Sequence, residues 1–140
     1  MSEHTLLAES PLIITVAPNG AYKTAKDHQA VPLTAAALAA DARACLEAGA
    51  AMMHMHVRQP DGRHSLDAQI YREALAVVKK EVGNALLVQV TSEAAGIYRS
   101  AEQIAMVREL RPEAVSIGLR EIAVPDIALA GMCGSASRTT

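Results

Sequence analysis

The chain repeats one unit, a short apolar run followed by a polar loop and then a helical pattern. The apolar runs begin near residues 12, 51, 86 and 114 of the 140-residue sequence. Apolar runs that alternate with helices predict βαβ units, and therefore a parallel α/β sheet with right-handed crossovers. Two architectures have this order: an open doubly wound sheet, or a (β/α)8 TIM-type barrel of which four units make half.

Four segments predict the strands, and three helical patterns separate them. The strands are LIITV, AAMMHMHV, ALLVQVT and EAVSIG. Thr34 predicts the N-cap of the first helix. An S-x-x-Q capping box, formed by Ser100 and Gln103, predicts the start of the third helix. The second helix is predicted from near residues 65–67 to Gly83, with a core-facing stripe of Ile70, Ala74, Val77 and Val78.

The second strand carries two histidines, His54 and His56, inside an apolar run. Strand side chains alternate between faces, so both imidazoles are predicted on one face, with Met53, Met55 and Val57 on the other. They lie at the carboxyl end of the strand, where parallel α/β folds bind ligands. Zn²⁺ accepts two histidines plus a carboxylate. The pattern alone leaves two interpretations open, a metal-binding pair or two hydrogen-bonded histidines brought together by chance.

Other polar side chains end neighbouring strands and are candidates for substrate contacts. Arg58 has a planar guanidinium that suits a carboxylate, although a surface ion pair explains it equally well. Asn19 has two interpretations: a contact with substrate, or a place in a plain Asn-Gly turn. Thr91, followed by Ser92, ends strand three, and Ser116 lies in strand four. Their hydroxyls orient a carboxylate or carbonyl, or cap the following segment.

Polar segments between the elements are predicted as loops. We interpret His4, His28 and His64 as solvated loop residues, and the D-G-R string at residues 61–63 as a turn. The stretch IALAGMCGSASRTT has no strong periodicity and predicts an irregular tail over residues 126–140. We therefore expect a single domain over residues 1–140, with its core at about residues 11–125.

Charge and composition argue against several classes of partner. The formal net charge is −2, and the aromatic residues are three Tyr without Phe or Trp. The chain has neither the positive charge nor the aromatic side chains that nucleic-acid binding usually requires, so we expect no nucleic-acid partner. We expect no membrane span or secretory leader, because no apolar run nears about 18 residues and the N-terminus lacks a basic region. Cys45 and Cys133 lack metal-type spacing, and we expect a reducing cytoplasm.

Several stretches resemble the β-keto acid cleavage enzyme family, which includes enzymes that cleave 3-keto-5-aminohexanoate. They are PLIITVAPNGAYKT, VPLT, CLEAGAAMMHMHVRQPDGRHS, LLVQVTS and PEAVSIGLREI, from about Pro11 to about Pro125. The most specific string is H-x-H-x-R followed by D-G-R. The resemblance implies a Zn²⁺-dependent (β/α)8 barrel that reacts a β-keto acid with acetyl-CoA to give acetoacetate and a CoA ester.

The resemblance also implies roles for individual residues. His54 and His56 match metal ligands, Thr91 and Ser116 match positions that contact substrate, and Asn19 and Arg58 match positions near the site. One position departs from the pattern: a glutamate follows the strand-one Gly-Ala in the amino-keto acid enzyme, and this chain has Tyr22 instead. Keto acids without an amino group therefore become the favoured substrates.

A second departure concerns the rest of the site. The family's third protein ligand, a glutamate, and its acid–base residues belong to a second half that nothing in this sequence matches, so no catalytic residue is assigned. We expect a truncated or frameshifted gene product, or a fragment. We also expect weak metal binding and little or no transfer by the isolated chain, since catalytic zinc normally has three protein ligands.

Two other functions remain open. One is a non-catalytic half-barrel or oligomerising metal-binding module, because an open sheet edge invites pairing with a second chain, including a homo-oligomer. The other is an open α/β domain for a phosphorylated ligand. The loop after strand one lacks a G-x-G-x-x-G or P-loop string, which argues against the latter.

Overall fold

A computed structural model describes residues 11–123 as an alternation of strands and helices. The strands are β1 (Thr15–Val16), β2 (Met52–Met55), β3 (Val57–Arg58), β4 (His64–Ser65), β5 (Leu87–Thr91) and β6 (Ala114–Ser116). The helices are α1 (Ala35–Glu47), α2 (Ala68–Val82), α3 (Ser100–Leu110) and α4 (Leu119–Ile122). The predicted tail at residues 126–140 lies outside the described residues.

Four of the strands form one parallel sheet in the order β1-β2-β5-β6. This confirms the predicted α/β class and its parallel strands. The arrangement is that of a partial TIM-type barrel, and the sheet does not close into a barrel within residues 11–123. Because the strands are parallel, their carboxyl ends share one edge, and the loops that follow β1, β2 and β5 gather there.

One face of the sheet packs against the helices. Met53 and Met55 of β2 are fully buried, and Val88 and Val90 of β5 are nearly so. These side chains alternate with half-buried ones, as a strand with one packed face requires. Helices cover them with apolar side chains that include Leu38, Ala42, Tyr71, Ala74, Val78 and Met106.

The opposite face of the sheet is less covered within the described residues. Met52 and Leu87, which are register partners, are only partly buried. Leu12 and Ile13, just before β1, are 84% and 75% exposed. Purely parallel sheets usually have both faces covered. This face therefore has the character of a barrel interior that residues 11–123 do not enclose.

The helices begin where the capping residues predict, except that α3 begins one residue earlier than expected. Thr34 caps α1 as predicted, since its hydroxyl accepts a hydrogen bond from the amide of Ala37 at 3.2 Å. The predicted capping box of α3 is wrong by one residue. Arg99 is the N-cap, and its amide donates to the carboxylate of Glu102 at 2.8 Å. Ser100 is the first helical residue, and it is buried.

The predicted core stripe of α2 is also partly wrong. Ala74 and Val78 are buried as expected, but Val77 is 40% exposed and Tyr71 is fully buried. The buried positions of this helix also include Val82, so they follow the line i, i+3, i+7 and i+11. Adjacent helical positions point about 100° apart, so with Val78 facing the sheet, Val77 lies at the edge of the packed stripe.

The second predicted strand divides into two elements. β2 ends at Met55, and β3 pairs antiparallel with β4 in a separate two-stranded hairpin. The predicted D-G-R turn closes this hairpin. Gly62 has a positive φ of 87°, a conformation that favours glycine. The hairpin places His64 beside the carboxyl edge of the main sheet. No helix between residues 11 and 123 has the length and apolar character needed to cross a bilayer.

Candidate functional site

The two histidines of the second strand converge at the carboxyl edge of the sheet. His54 lies in β2, and His56 follows the last residue of that strand. Their ring centroids are 4.9 Å apart, and their Nε2 atoms are 3.0 Å apart. The expectation that both imidazoles share one face is confirmed. Met53 and Met55 point into the core instead.

The neighbouring strand orients His54. Gln89 is its register partner in β5, and the Gln89 Oε1 lies 2.8 Å from His54 Nδ1. An amide oxygen only accepts hydrogen bonds, so Nδ1 carries the proton and Nε2 has a free lone pair directed at His56. Metal-bound histidines are usually oriented by such a hydrogen bond on the other ring nitrogen.

His56 is buried and has an unpartnered ring nitrogen. The residue is 2% exposed, and Nδ1 has no hydrogen-bond partner among the described residues. Burial, together with the nearby His54, His64 and Arg58, lowers the pKa of His56 to about 3. The imidazole is therefore neutral near pH 7, the state in which it binds metal.

The geometry of the pair fits one metal ion between the two Nε2 atoms. Two nitrogens bound to a tetrahedral Zn²⁺ at about 2.0–2.1 Å are about 3.3 Å apart. The observed separation of 3.0 Å is close to that value. It is equally compatible with a direct hydrogen bond between neutral imidazoles. His54 and His56 can therefore supply two ligands, with Gln89 as the outer partner of the first.

The metal-free fold is expected to lose stability on acidification, partly because of His56. Its pKa falls from an ordinary 6.5 to about 3 on folding. Between these values the unfolded chain binds the additional proton, so stability is fully present above about pH 6.5 and is lost as the pH falls toward 3. One histidine contributes at most about 1.4 kcal/mol per pH unit. Urea unfolding in EDTA at pH 7 and pH 5 measures the loss.

Two variants test this assignment of the pH dependence. His56→Gln is expected to reduce the difference in the free energy of unfolding between pH 7 and pH 5. His28→Gln is the control, because His28 is exposed. Equal pH dependence in the wild-type chain and His56→Gln would contradict a neutral, buried His56.

Asn19 links the loop after β1 to the histidine strand. Its Nδ2 donates to the carbonyls of His56 at 2.8 Å and Pro32 at 3.0 Å, and its Oδ1 accepts from the His56 amide at 3.2 Å. The side chain is buried, with 3% exposure. In this arrangement Asn19 fixes the position of His56. Its predicted contact with substrate stays a prediction.

Arg58 also binds the loop after β1. Its Nη2 donates to the carbonyls of Gly20 and Lys23, its Nη1 donates to the Val57 carbonyl, and its side chain is buried. Its Nε has no partner among the described residues. The guanidinium therefore stabilises the loop after β1, and recognition of a substrate carboxylate by Arg58 stays a prediction.

Thr91 and Ser116 are register partners on neighbouring strands. Thr91 lies two residues after Gln89, so its side chain is on the same face of the sheet as His54. Adjacent strands are about 4.8 Å apart, which brings the two hydroxyls close together. Thr91 Oγ1 accepts a hydrogen bond from the Glu93 amide at 3.1 Å. The following Ser92 is fully buried, and its Oγ has no partner within residues 11–123.

Sequence reasoning missed two side chains at this edge. His64, interpreted above as solvated, is 5% exposed, and its ring centroid is 5.3 Å from that of His56. Glu93 follows β5, and its Oε2 lies 3.7 Å from His56 Nε2. The sequence could have indicated Glu93, because this carboxylate comes two residues after Thr91, where the third predicted strand ends. His64 lacked such a signal, because the hairpin that buries it was not predicted.

The described part of the chain does not complete a metal site. Within residues 11–123 no group of three His, Cys, Asp or Glu side chains is arranged to hold a metal ion. Glu93 lies near the histidine pair, but the three side chains are not arranged as such a group. The arrangement is thus two converging imidazoles, an orienting amide and two hydroxyls on one sheet face.

Comparison with known proteins supports the resemblance. The model of the β-keto acid cleavage enzyme family matches residues 11–132. A 3-keto-5-aminohexanoate cleavage enzyme of Fusobacterium nucleatum is 31% identical over 106 residues, 76% of this chain. A 3,5-dioxohexanoate:acetyl-CoA acetone transferase of Paraburkholderia graminis is 29% identical over 77% of it. A 3-oxoadipate:acetyl-CoA acetyltransferase of Cupriavidus necator is 30% identical over 82%.

These matches cover most of this chain but only part of each relative. The aligned regions span 38%, 34% and 39% of the three relatives' own lengths. The family model covers the strands of the sheet, both histidines and the hairpin. On that match, the chain belongs to the β-keto acid cleavage enzyme family.

Proposed function

We propose that this chain supplies the N-terminal half-barrel of a Zn²⁺-dependent β-keto acid cleavage enzyme. In this reaction the bond between C2 and C3 of the β-keto acid breaks and the acyl group passes to CoA. The remaining two-carbon carboxymethyl fragment bonds to the acetyl group of acetyl-CoA and forms acetoacetate. Membership of the family supports this proposal, as do two relatives whose names include acetyl-CoA. The observation that carries it is the convergence of His54 Nε2 and His56 Nε2 at 3.0 Å.

The histidine pair holds the metal in this proposal. His54 and His56 each supply Nε2, and the hydrogen bond from His54 Nδ1 to Gln89 keeps the first ring in the required tautomer. A Zn²⁺ ion held by these two residues would supply Lewis-acid polarisation of the substrate's keto group. A third ligand from outside the described residues would complete the site.

The hydroxyls and the loop contacts have separate roles. Thr91 and Ser116 donate hydrogen bonds to the carboxylate or the keto oxygen of the substrate and so orient it beside the histidines. Asn19 and Arg58 keep the loop after β1 against His56, through the contacts to Gly20, Pro32 and the His56 backbone. They act on the geometry of the site, and any direct contact of theirs with substrate remains to be tested.

The side chain after the strand-one Gly-Ala favours a substrate without an ammonium group. Tyr22 stands there, and its ring is 70% exposed. A phenol cannot provide the negative charge that an ammonium group needs. We therefore propose a β-keto acid that lacks an amino group. We also propose that the protein acts in the cytoplasm.

A second candidate is a non-catalytic, oligomerising metal-binding module. Within residues 11–123 the sheet ends at β1 and β6 without a further strand, and this favours the second candidate, as do the exposed Leu12 and Ile13. In this case two copies pair through their sheets, and each site gains ligands from the partner. Light scattering coupled to size exclusion distinguishes a defined dimer with stoichiometric zinc from a monomer or an aggregate.

Gln89→Ala tests the metal site without removing a ligand. Loss of an outer hydrogen bond typically lowers metal affinity about 10- to 100-fold. We expect that decrease in a competition titration with a chromophoric zinc chelator. Gln69→Ala is the matched control, because Gln69 is an exposed residue of α2, and it should bind zinc as the wild-type chain does. Unchanged affinity in Gln89→Ala would contradict the proposed orientation of His54.

The transfer reaction is measured by acetoacetate formation from acetyl-CoA and 3-oxoadipate. The isolated chain is expected to bind zinc weakly and to show little or no turnover, because residues 11–123 provide two converging ligands rather than three. Rapid turnover would show that this chain contains a complete site and would refute the half-site proposal. Absence of any zinc binding would refute the metal site and favour a purely structural histidine pair.

A further inference from the structure

His64 is a buried histidine that the proposed function does not use. It is the first residue of β4, and its register partner in the hairpin is Arg58. The residue is 5% exposed. Its Nε2 lies 2.9 Å from the carbonyl oxygen of Glu93, which only accepts hydrogen bonds, so Nε2 carries a proton. The ring also meets that of Tyr98 edge to face, with centroids 6.0 Å apart. Two neighbours therefore fix the orientation of this ring.

The other ring nitrogen of His64 is an acceptor without a donor. A charged imidazolium is costly in a buried position, so the ring is neutral and its single proton is the one on Nε2. Nδ1 therefore has a free lone pair, and it is enclosed without a hydrogen-bond partner within residues 11–123. A buried polar atom in this state costs free energy and calls for an explanation. Because the enclosed atom is out of reach of a ligand, we looked for its partner among the buried side chains.

His56 has a matching ring nitrogen. The lone pair of His54 Nε2 is directed at His56, so the proton of the neutral His56 ring is on Nε2, 3.0 Å away. Its Nδ1 is then a second buried lone pair without a donor. A metal ion bound by both Nε2 atoms needs the lone pair of His56 Nε2, and the proton of that ring must then be on Nδ1. On metal binding, His56 Nδ1 therefore changes from an acceptor into a donor.

The rings of His56 and His64 are spaced for a hydrogen bond between them. Their centroids are 5.3 Å apart, and their planes make an angle of 57°. The rings of His54 and His56, whose Nε2 atoms are 3.0 Å apart, have centroids 4.9 Å apart. The two centroid distances are therefore nearly the same. The absence of a bond between the two Nδ1 atoms follows from their chemistry, because both are acceptors until His56 changes its tautomer.

We propose that His64 is a positioning residue of the metal site, because its Nδ1 accepts a hydrogen bond from the Nδ1–H of metal-bound His56. A small movement of the rings closes this contact once His56 Nδ1 is a donor. His64 then does for His56 what Gln89 does for His54, since each stabilises the tautomer whose Nε2 binds a metal. The role rests on the proposed metal site, and it adds a separate claim about which side chain holds the second ligand.

Two substitutions of His64 separate this role from a purely structural one. In His64→Asn the amide oxygen reaches the place of Nδ1 and can accept from His56, but the side chain is too short to donate to the Glu93 carbonyl. His64→Gln has the opposite property, because its amide nitrogen reaches the place of Nε2 and can donate to Glu93. We expect His64→Gln to weaken zinc binding about 10-fold or more, and His64→Asn to weaken it by less than about 3-fold.

Competition titration of the full chain with a chromophoric chelator at pH 7 measures these affinities. His28→Gln is the matched control, because His28 is exposed, and it should bind zinc as the wild-type chain does. Circular dichroism checks that each variant retains its secondary structure. A purely structural role, exerted through the bond to Glu93, predicts the reverse order of the two variants. The proposal is overturned if His64→Asn binds zinc as weakly as His64→Gln or more weakly, or if neither variant differs from the wild-type chain.

Nitrogen NMR of the wild-type chain, with isotope-labelled histidine, tests the contact without any substitution. At saturating zinc we expect the proton of His56 on Nδ1, and a scalar coupling across the hydrogen bond to His64 Nδ1. A zinc-induced change of the His56 tautomer without this coupling would refute the role of His64 and leave the metal site intact. A proton that stays on His56 Nε2, or no zinc binding at all, would refute the metal site and the role of His64 with it.

Discussion

Replacing His56 by alanine is expected to lower zinc affinity by about 100-fold or more. The chain presents two imidazoles whose Nε2 atoms are 3.0 Å apart. Removing one of them leaves a single protein ligand, whereas loss of a mere outer-shell contact costs about 10- to 100-fold. His54→Ala is expected to have an effect of the same size. Competition titration with a chromophoric chelator at pH 7 measures both affinities.

Two comparisons make the zinc result specific. His28→Ala removes an exposed histidine outside the site and should retain wild-type affinity. Circular dichroism of each variant checks that the secondary structure is retained. If His54→Ala and His56→Ala bind zinc like the wild-type chain, the 3.0 Å contact is a hydrogen bond between imidazoles and the proposed function loses its main support.

Met55→Ala is expected to destabilise the fold by about 2–5 kcal/mol, the usual cost of deleting a large buried side chain. Met55 is fully buried between the sheet and the helices. Domains are typically stable by about 5–15 kcal/mol, so this one change removes a large share of the total. The midpoint of urea unfolding, followed by circular dichroism, measures the change.

Met52→Ala is the matched control on the same strand. Met52 is only partly buried and faces the less covered side of the sheet. Its replacement should cost about 1 kcal/mol or less. Equal destabilisation by Met52→Ala and Met55→Ala would show that both faces of the sheet are covered in solution, which would favour the oligomerising candidate.

The alternation of strands and helices could be predicted from the sequence because each element has its own periodicity. Strand alternation correctly placed His54 and His56 together on one face, with Met53 and Met55 in the core on the other. Short-range capping predicted the start of α1 at Thr34. Burial was harder to predict where two adjacent residues of a helix are both apolar. Val77 and Val78 are both apolar, and only packing against the sheet decided which one is buried.

Contacts between distant segments explain what local patterns missed. His64 lies in a polar sequence, yet the pairing of β3 with β4 carries it to within 5.3 Å of His56. Asn19 and Arg58 were predicted near the site, but their hydrogen bonds to backbone groups up to 38 residues away depend on the folded loop. Such contacts leave no periodic signal in the sequence.

The sequence alone determined the α/β class, the parallel strands and the shared face of His54 and His56, because these follow from the alternation of strands with helices and of side chains along a strand. The family resemblance came from the same residues. Only the tertiary structure decided which groups surround the pair. Register brought Gln89 to His54, and the hairpin buried His64 beside His56. These depend on packing between segments far apart in the chain, where distance along the sequence says nothing about distance in space.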